Sequence, residues 1–213
     1  MLACGTGNDF AKTLGVLRLD AATIANLVES RQTQRIDVGT TEGSYFLNSC
    51  GFGFDAAVLK ASNRVRALRG DSVYIYSALR QLFAYRGIDV SRGDVPVSSA
   101  TKMLMVTVSN GRNLGGAFQI APDASVLDGH LDIAFFRDSN LLKRMSLFAK
   151  AFRGTHLGTR SVVSERARSI SLNFSAPPMM EVDGELRQAR SSTVQIECLP
   201  RALSVIAAPG FPF

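Results

Sequence analysis

Apolar and polar residues alternate with two different periods along this chain, and each change of period marks an element. After Asp20, which is placed to cap a first turn, Ile24, Leu27 and Val28 have helical spacing. A shorter helix is expected upstream, from Asn8 to Leu17. Ile36 and Val38 then alternate with polar neighbours, and a Gly-containing turn over 40–44 leads into Tyr45, Phe46 and Leu47, which is a hairpin signal. Helical spacing returns over 55–67 and again after Asp71, where Val73, Tyr76, Leu79 and Phe83 recur every three or four residues. Gly70 and Gly87 follow these two helices and suit the left-handed residue that ends one. Beyond Pro96 the β-like runs lie at 103–108, 131–136, 169–174, 179–182, 193–197 and 203–207. One more helix opens at Ser139 or Asn140 and runs through Leu142, Met145, Phe148 and Phe152. Many short strands with turns and few helices predict an α+β fold, mostly antiparallel β, with a curved or two-layered sheet.

Composition narrows the function classes. With 213 residues and 46% hydrophobic content, the chain can bury a substantial core as one domain, or as one domain plus a remnant. A formal net charge of +6 favours polyanions: nucleotides, acidic lipid headgroups or nucleic acid. Nucleic acid is set aside, because there is neither an aromatic-and-basic RNA signature nor a helix-turn-helix with a basic stripe. Cys4, Cys50 and Cys198 are odd in number and widely separated, so neither a disulfide framework nor a zinc site is indicated, and a cytoplasmic location fits. No apolar run is long enough to span a bilayer, so membrane contact is expected to be peripheral. Lys143, Arg144, Lys150 and Arg153 punctuate the helix whose other face is Leu142, Met145, Phe148 and Phe152. Such a helix either rests on an anionic membrane or packs in the core with its charges wet, and Arg64, Arg66 and Arg69 carry the same ambiguity.

Four short stretches carry candidate chemistry. In Gly5-Thr6-Gly7-Asn8-Asp9-Phe10-Ala11, small residues let backbone amides approach a phosphate, and a helix starting near Asn8 aims its positive end there. Asp55 closes the glycine-rich run 48–56, and both Asp9 and Asp55 either hold a metal near a nucleotide or cap the helices they begin. Ser125 to His130 is a glycine-bent loop around Asp128; it is either a small cation-binding turn or a plain Asp-Gly turn. In Asp183-Gly184-Glu185 the glycine permits a tight bend, so two acids can project into one cleft and accept a proton from an attacking alcohol. The bland alternative is a hairpin turn with solvated acids. Gly111 to Gly116 is a further glycine-bearing segment, whose glycine pair by itself marks a turn or bulge.

Taken in order, the runs at 5–11, 48–56, 121–129 and 182–185 resemble the bacterial diacylglycerol kinase family, which includes the YegS-like and sphingosine kinases. The resemblance implies a β-sandwich lipid-binding domain over 31–213 following an α/β nucleotide domain, of which 1–30 would be a remnant. It implies ATP and magnesium as cofactors and a diacylglycerol-like lipid as substrate. The general base would lie in the bend, at Asp183 or Glu185. Gly5, Thr6, Gly7 and Asn8 would help to hold ATP, with Asp9 and Asp55 at the interdomain cleft and Gly111 to Gly116 near it. The Asp128 carboxylate and the main-chain carbonyls of Ser125 and His130 would surround a structural magnesium. The family's GGDGT-type phosphate loop has no counterpart here, so this piece alone is expected to be inactive. A noncatalytic binding or regulatory module and an NAD kinase-like enzyme with a soluble acceptor remain the competing readings. An exposed domain face could also pair two copies as a homodimer. The lining of the acceptor pocket separates lipid from soluble acceptor, and the kinase reading requires the 183–185 bend and the opening glycines to border one crevice.

Overall fold

The computed structural model describes residues 7–62, 71–93 and 95–206, and its strands form one antiparallel sheet of eleven. In chain order these are β1 (Thr33–Thr41), β2 (Ser44–Phe46), β3 (Ser49–Gly53), β4 (Ile88–Arg92), β5 (Thr101–Ser109), β6 (Leu131–Arg137), β7 (Val162–Ala167), β8 (Ser169–Phe174), β9 (Met179–Val182), β10 (Glu185–Gln188) and β11 (Thr193–Ile206). The helices are α1 (Asp9–Thr13), α2 (Ala21–Ser30), α3 (Phe54–Ser62), α4 (Asp71–Ala84) and α5 (Leu141–Ala151). The sheet runs β10-β9-β3-β5-β4-β8-β11-β1-β2, with β6 on the other edge of β5 and β7 beyond it. Its two ends meet: Arg187 Nη1 donates to Ser44 Oγ at 2.8 Å, and the Arg190 N–H donates to the Glu42 carboxylate at 2.9 and 3.1 Å. The sheet therefore curls on itself as a sandwich, as the alternating pattern predicts.

Phe46, Phe52, Val106, Ile133, Leu172 and Ile196 fill the inside of the curl, each essentially without exposure. Burying a side chain of this size contributes about 1.5–3 kcal/mol. Gly39 in β1 is part of this packing, because a Cβ there would overlap the Phe46 ring in the adjoining β2. A second core lies under α3, α4 and α5, around Phe54, Leu82, Phe118, Phe136 and Leu147. A third joins α1 to β1, through Phe10, Leu14, Ile36 and Val126.

Several expectations hold with small adjustments. Asp20 caps α2, its carboxylate accepting the Thr23 N–H at 2.7 Å, and Asn140 caps α5 through the Lys143 N–H at 3.1 Å. The 193–197 and 203–207 runs are one long strand, β11, which pairs with β8 at one end and β1 along its length. β3 was not anticipated: it carries two glycines and is buried throughout, so it shows no alternation. Arg144 does not stand with the wet charges of α5. It is buried, with Nη1 donating to the Leu82 and Tyr85 carbonyls at the end of α4 and Nη2 bonded to Asp138 at 2.5 Å. Cys4, the 64–66–69 arginine cluster and Gly70 lie outside the described residues, as do the side chains of Asp71 and Val73. Among the described residues no helix is long and apolar enough to cross a membrane.

Candidate active site

The Asp-Gly-Glu bend is the two-residue turn of the β9–β10 hairpin, where Val182 pairs with Glu185 and both Asp183 and Gly184 have positive φ, 47° and 85°. Its two acids point into different surroundings. Asp183 accepts the Leu47 N–H at 2.6 Å on Oδ2, and the Asn48 and Ser49 N–H groups at 2.9 and 3.0 Å on Oδ1. It thereby ties the bend to the chain between β2 and β3. Burial raises its pKa, the three amides oppose that rise, and the nearby charge of Glu185 adds to it. Glu185 stands in solvent, paired with Arg187 at 2.7 Å.

Beside the bend lies a carboxyl pair of which the motifs mark only Asp55. Glu181 in β9 sits directly opposite Gly51 in β3, and Asp55 comes from the first turn of α3. Both acids are buried, at 3% and 2% exposure. A Cβ on Gly51 would collide with the Asp55 carboxylate, so the missing side chain is what admits Asp55 to Glu181. The Gly184 N–H of the bend donates to Glu181 Oε1. Burial first, then the neighbouring Asp55 charge, raise the Glu181 pKa well above the ordinary range, despite that amide. Sequence reading missed Glu181 because it alternates with buried Met180 and Val182, so it resembles an outward polar position. The glycine opposite it was the available signal.

Asp55 also borders an apolar cavity of about 50 Å³ between the sheet and the α3–α5 layer. Its walls include Phe54, Leu82, Leu104, Phe118, Phe136 and Leu147, and Asp55 and Arg144 are its charged members. On the same sheet face, Ser49 opposes Ser109, and Gly51 opposes Thr107. With Asn48 and Asn110 these residues form a buried polar belt: Ser49 Oγ, Thr107 Oγ1, Ser109 Oγ and the two Asn Oδ1 atoms have no protein partner. Buried oxygens of this kind are ordinarily satisfied by water or ligand.

The described part of the opening loop meets the 111–116 segment. Gly7 packs against Gly116, whose N–H donates to the Asp9 carboxylate at 3.0 and 3.2 Å. Lys12 pairs with Asp9 at 2.9 Å and donates to the Gly116 carbonyl at 2.5 Å. Asn8, left-handed at φ 49°, precedes α1. From the other side, Asn48 binds the same segment: its carbonyl accepts the Asn110 and Gly111 N–H groups, and its Nδ2 donates to the Asn113 carbonyl at 2.6 Å. The bend and the opening loop are thus linked through 48 and 110–116. Gly5 and Thr6 lie outside the described residues.

Ser125 to His130 is held by Asp37, which the sequence reading overlooked. Asp37 sits at a bulge in β1 and accepts the Gly129 and Arg201 N–H groups at 2.7 and 2.8 Å, while its own N–H donates to the Val126 carbonyl at 2.7 Å. Asp128 Oδ1 accepts the His130 N–H at 3.0 Å, and Oδ2 lies 3.8 Å from Arg166 Nη1. His130 Nδ1 is 2.7 Å from the Asp128 carbonyl. Among the described residues no group of three or more His, Cys, Asp or Glu could hold a metal. A cation in this loop would have the Asp128 carboxylate and main-chain oxygens, a donor set magnesium accepts alongside water.

The family model described as YegS C-terminal NAD kinase beta sandwich-like domain matches residues 48–207. A diacylglycerol kinase of Bacillus subtilis (strain 168) is 28% identical over 188 residues, covering 87% of this chain and 61% of that protein. A diacylglycerol kinase of Mycobacterium tuberculosis (strain ATCC 25618 / H37Rv) is 26% identical over 212 residues, covering 97% and 68%. A solved diacylglycerol kinase structure from Bacillus anthracis str. Sterne matches with a TM-score of 0.62 at 22% identity, over 96% of this chain and 65% of that one. At that identity the likeness concerns the fold.

Proposed function

The chain belongs to the YegS C-terminal NAD kinase beta sandwich-like domain family, and from that premise we propose that it is the acceptor-binding part of an ATP- and magnesium-dependent lipid kinase. The enzyme would transfer the γ-phosphate to the hydroxyl of a diacylglycerol-like lipid. Because the chain spans about 61% of the length of the Bacillus subtilis relative, the reaction is proposed of the whole enzyme. Residues 1–30 then belong with the nucleotide domain and 31–213 with the acceptor domain.

The observation that carries the lipid reading is the lining of the cavity, apolar on its walls with a carboxyl at one side. A crevice for ribose and adenine needs polar walls, so this lining disfavours a soluble nucleotide acceptor. The alcohol would give its proton to the bend, where Asp183 and Glu185 are the two acceptors. Gly5, Thr6, Gly7 and Asn8 would hold the phosphates beside Asp9 and Lys12. Asp55 faces Glu181 and the cavity, so any part it takes in nucleotide or metal binding would be indirect. Magnesium, when bound, neutralises charge on the moving phosphate; Asp128, with the carbonyls of Ser125 and His130, would hold a structural ion. Exposed Leu142 and Met145 on α5, near Lys143 and Lys150, support docking on an anionic membrane.

The test is transfer of labelled γ-phosphate from ATP to a mixed lipid extract by the whole enzyme, with magnesium. The expected result is a labelled lipid, with the label reduced at least tenfold by Asp183→Asn or Glu185→Gln. Label confined to water-soluble acceptors would refute the reading.

A further inference from the structure

We infer that Asn110 is a positioning residue for Asp183, aiming two of the main-chain N–H groups that hold the Asp183 carboxylate. Two consecutive peptide planes lie between the two side chains. In the first, the Asn48 N–H donates to Asp183 Oδ1 at 2.9 Å, while the Leu47 carbonyl of the same plane accepts Asn110 Nδ2 at 2.9 Å. In the second, the Ser49 N–H donates to Oδ1 at 3.0 Å, and the Asn48 carbonyl accepts the Asn110 and Gly111 N–H groups at 2.8 and 2.9 Å. A trans peptide is flat, with its N–H and C=O pointing in opposite directions, and no cis peptide occurs among the described residues. Holding the carbonyl therefore fixes the direction of the N–H on the far edge. Each bond to a carbonyl also polarises its plane, which strengthens the donor that faces Asp183. The third donor, the Leu47 N–H, belongs to a plane that Asn110 does not bond.

A side-chain amide is what this place requires. Asn110 is buried, at 1% exposure, and its Nδ2 also meets the Asp37 carbonyl at 3.1 Å. Both carbonyls only accept, so the NH2 end must face them. A carboxylate at 110 would set oxygen against oxygen, and a hydroxyl has one proton for two acceptors. The Asp37 carboxylate in turn accepts the Gly129 N–H at 2.7 Å, so one buried amide joins the support of the bend to the support of the 125–130 loop. Asn48 is kept in register by its own Nδ2 on the Asn113 carbonyl, and its Oδ1 fills the space that a Cβ on Gly111 would take. The catalytic consequence rests on the lipid-kinase reading, whether Asp183 accepts the proton or only holds the bend, but the aiming of the two amides does not.

The test has one arm on the 213-residue chain without phosphoryl transfer and one on the whole enzyme, which keeps its failure distinct from failure of the kinase reading. In the natural chain, nuclear magnetic resonance should detect a through-hydrogen-bond coupling between Asn110 Nδ2 and the Leu47 carbonyl carbon. In Asn110→Ser, the Asn48 and Ser49 amide proton resonances should move upfield, and by more than that of Leu47. Asn110→Asp is the second variant and should do the same; should neither fold, the coupling in the natural chain decides. In the whole enzyme, Asn110→Ser should lower kcat about tenfold or more while KM stays within about twofold, and should add no further loss to Asp183→Asn. An absent coupling, unmoved resonances, equal movement of all three amides, or losses that multiply in the double variant overturn the inference. A whole enzyme that labels no lipid refutes the kinase reading and leaves the chain arm to decide this one.

Discussion

Asp183 has two duties that a single substitution can separate. Its carboxylate accepts three main-chain N–H groups, so Asp183→Ala leaves three donors without their acceptor. Asp183 is exposed, the Leu47 N–H lies at the surface and the other two are half-buried, so water replaces part of what is lost; a cost of about 1–3 kcal/mol is expected, measured by the denaturant midpoint. Asp183→Asn turns an NH2 group toward one of those donors and should cost less. Glu185→Gln changes only an exposed side chain, and its stability should stay within ~0.5 kcal/mol. A second prediction concerns pH. The Glu181 pKa is raised in the folded protein, so above the ordinary value of 4.5 the folded state retains a proton that the unfolded state releases. Stability should therefore fall as pH rises toward the folded pKa, and Glu181→Gln should flatten that fall in Tm. His156 acts in the opposite sense: burial lowers its pKa, so its contribution is lost as pH drops below 6.5. The two acids of the bend were legible in the sequence, whereas Glu181 was not, because its burial depends on a glycine 130 positions away in the chain.

At the scale of elements, the helices with caps and periodic apolar faces were legible, and the strands that break the rules were not. Asp20 and Asn140 cap α2 and α5 as read, since a cap is a local hydrogen bond that needs no tertiary partner. β3, rich in glycine, β7, which carries Glu165 and Arg166, and the short β10 have no clean alternation, and only their neighbours in the sheet make them strands. Helix α2 has no buried residue. Its amides should therefore exchange hydrogen fastest among the helices, and Asp20→Ala should speed them further without shifting the main unfolding transition. The α4–α5 junction should behave differently. Arg144→Met strands Asp138 and the carbonyls of Leu82 and Tyr85, and removing one partner of a buried ion pair costs about 3–5 kcal/mol. Thermal unfolding of the chain should report that loss directly.

For the whole molecule, four separated motifs were enough to indicate the family, because each is a short run carrying glycines and acids in a fixed order along the chain. What they left out is the support: Asp37 behind the 125–130 loop, Glu181 behind the bend, and the Asn48 bridge to 110–116. Asp37 and Asn48 reach partners far along the chain, and Glu181 is buried opposite Gly51 on a neighbouring strand, so the pattern near each residue does not announce its role. The buried guanidinium of Arg144 has a consequence of its own. It borders the space proposed for the acceptor and fastens α5 to the last turn of α4, so a guest too long for that space must prise two helices apart against a rivet. Admission is then policed by a charge rather than by bulk.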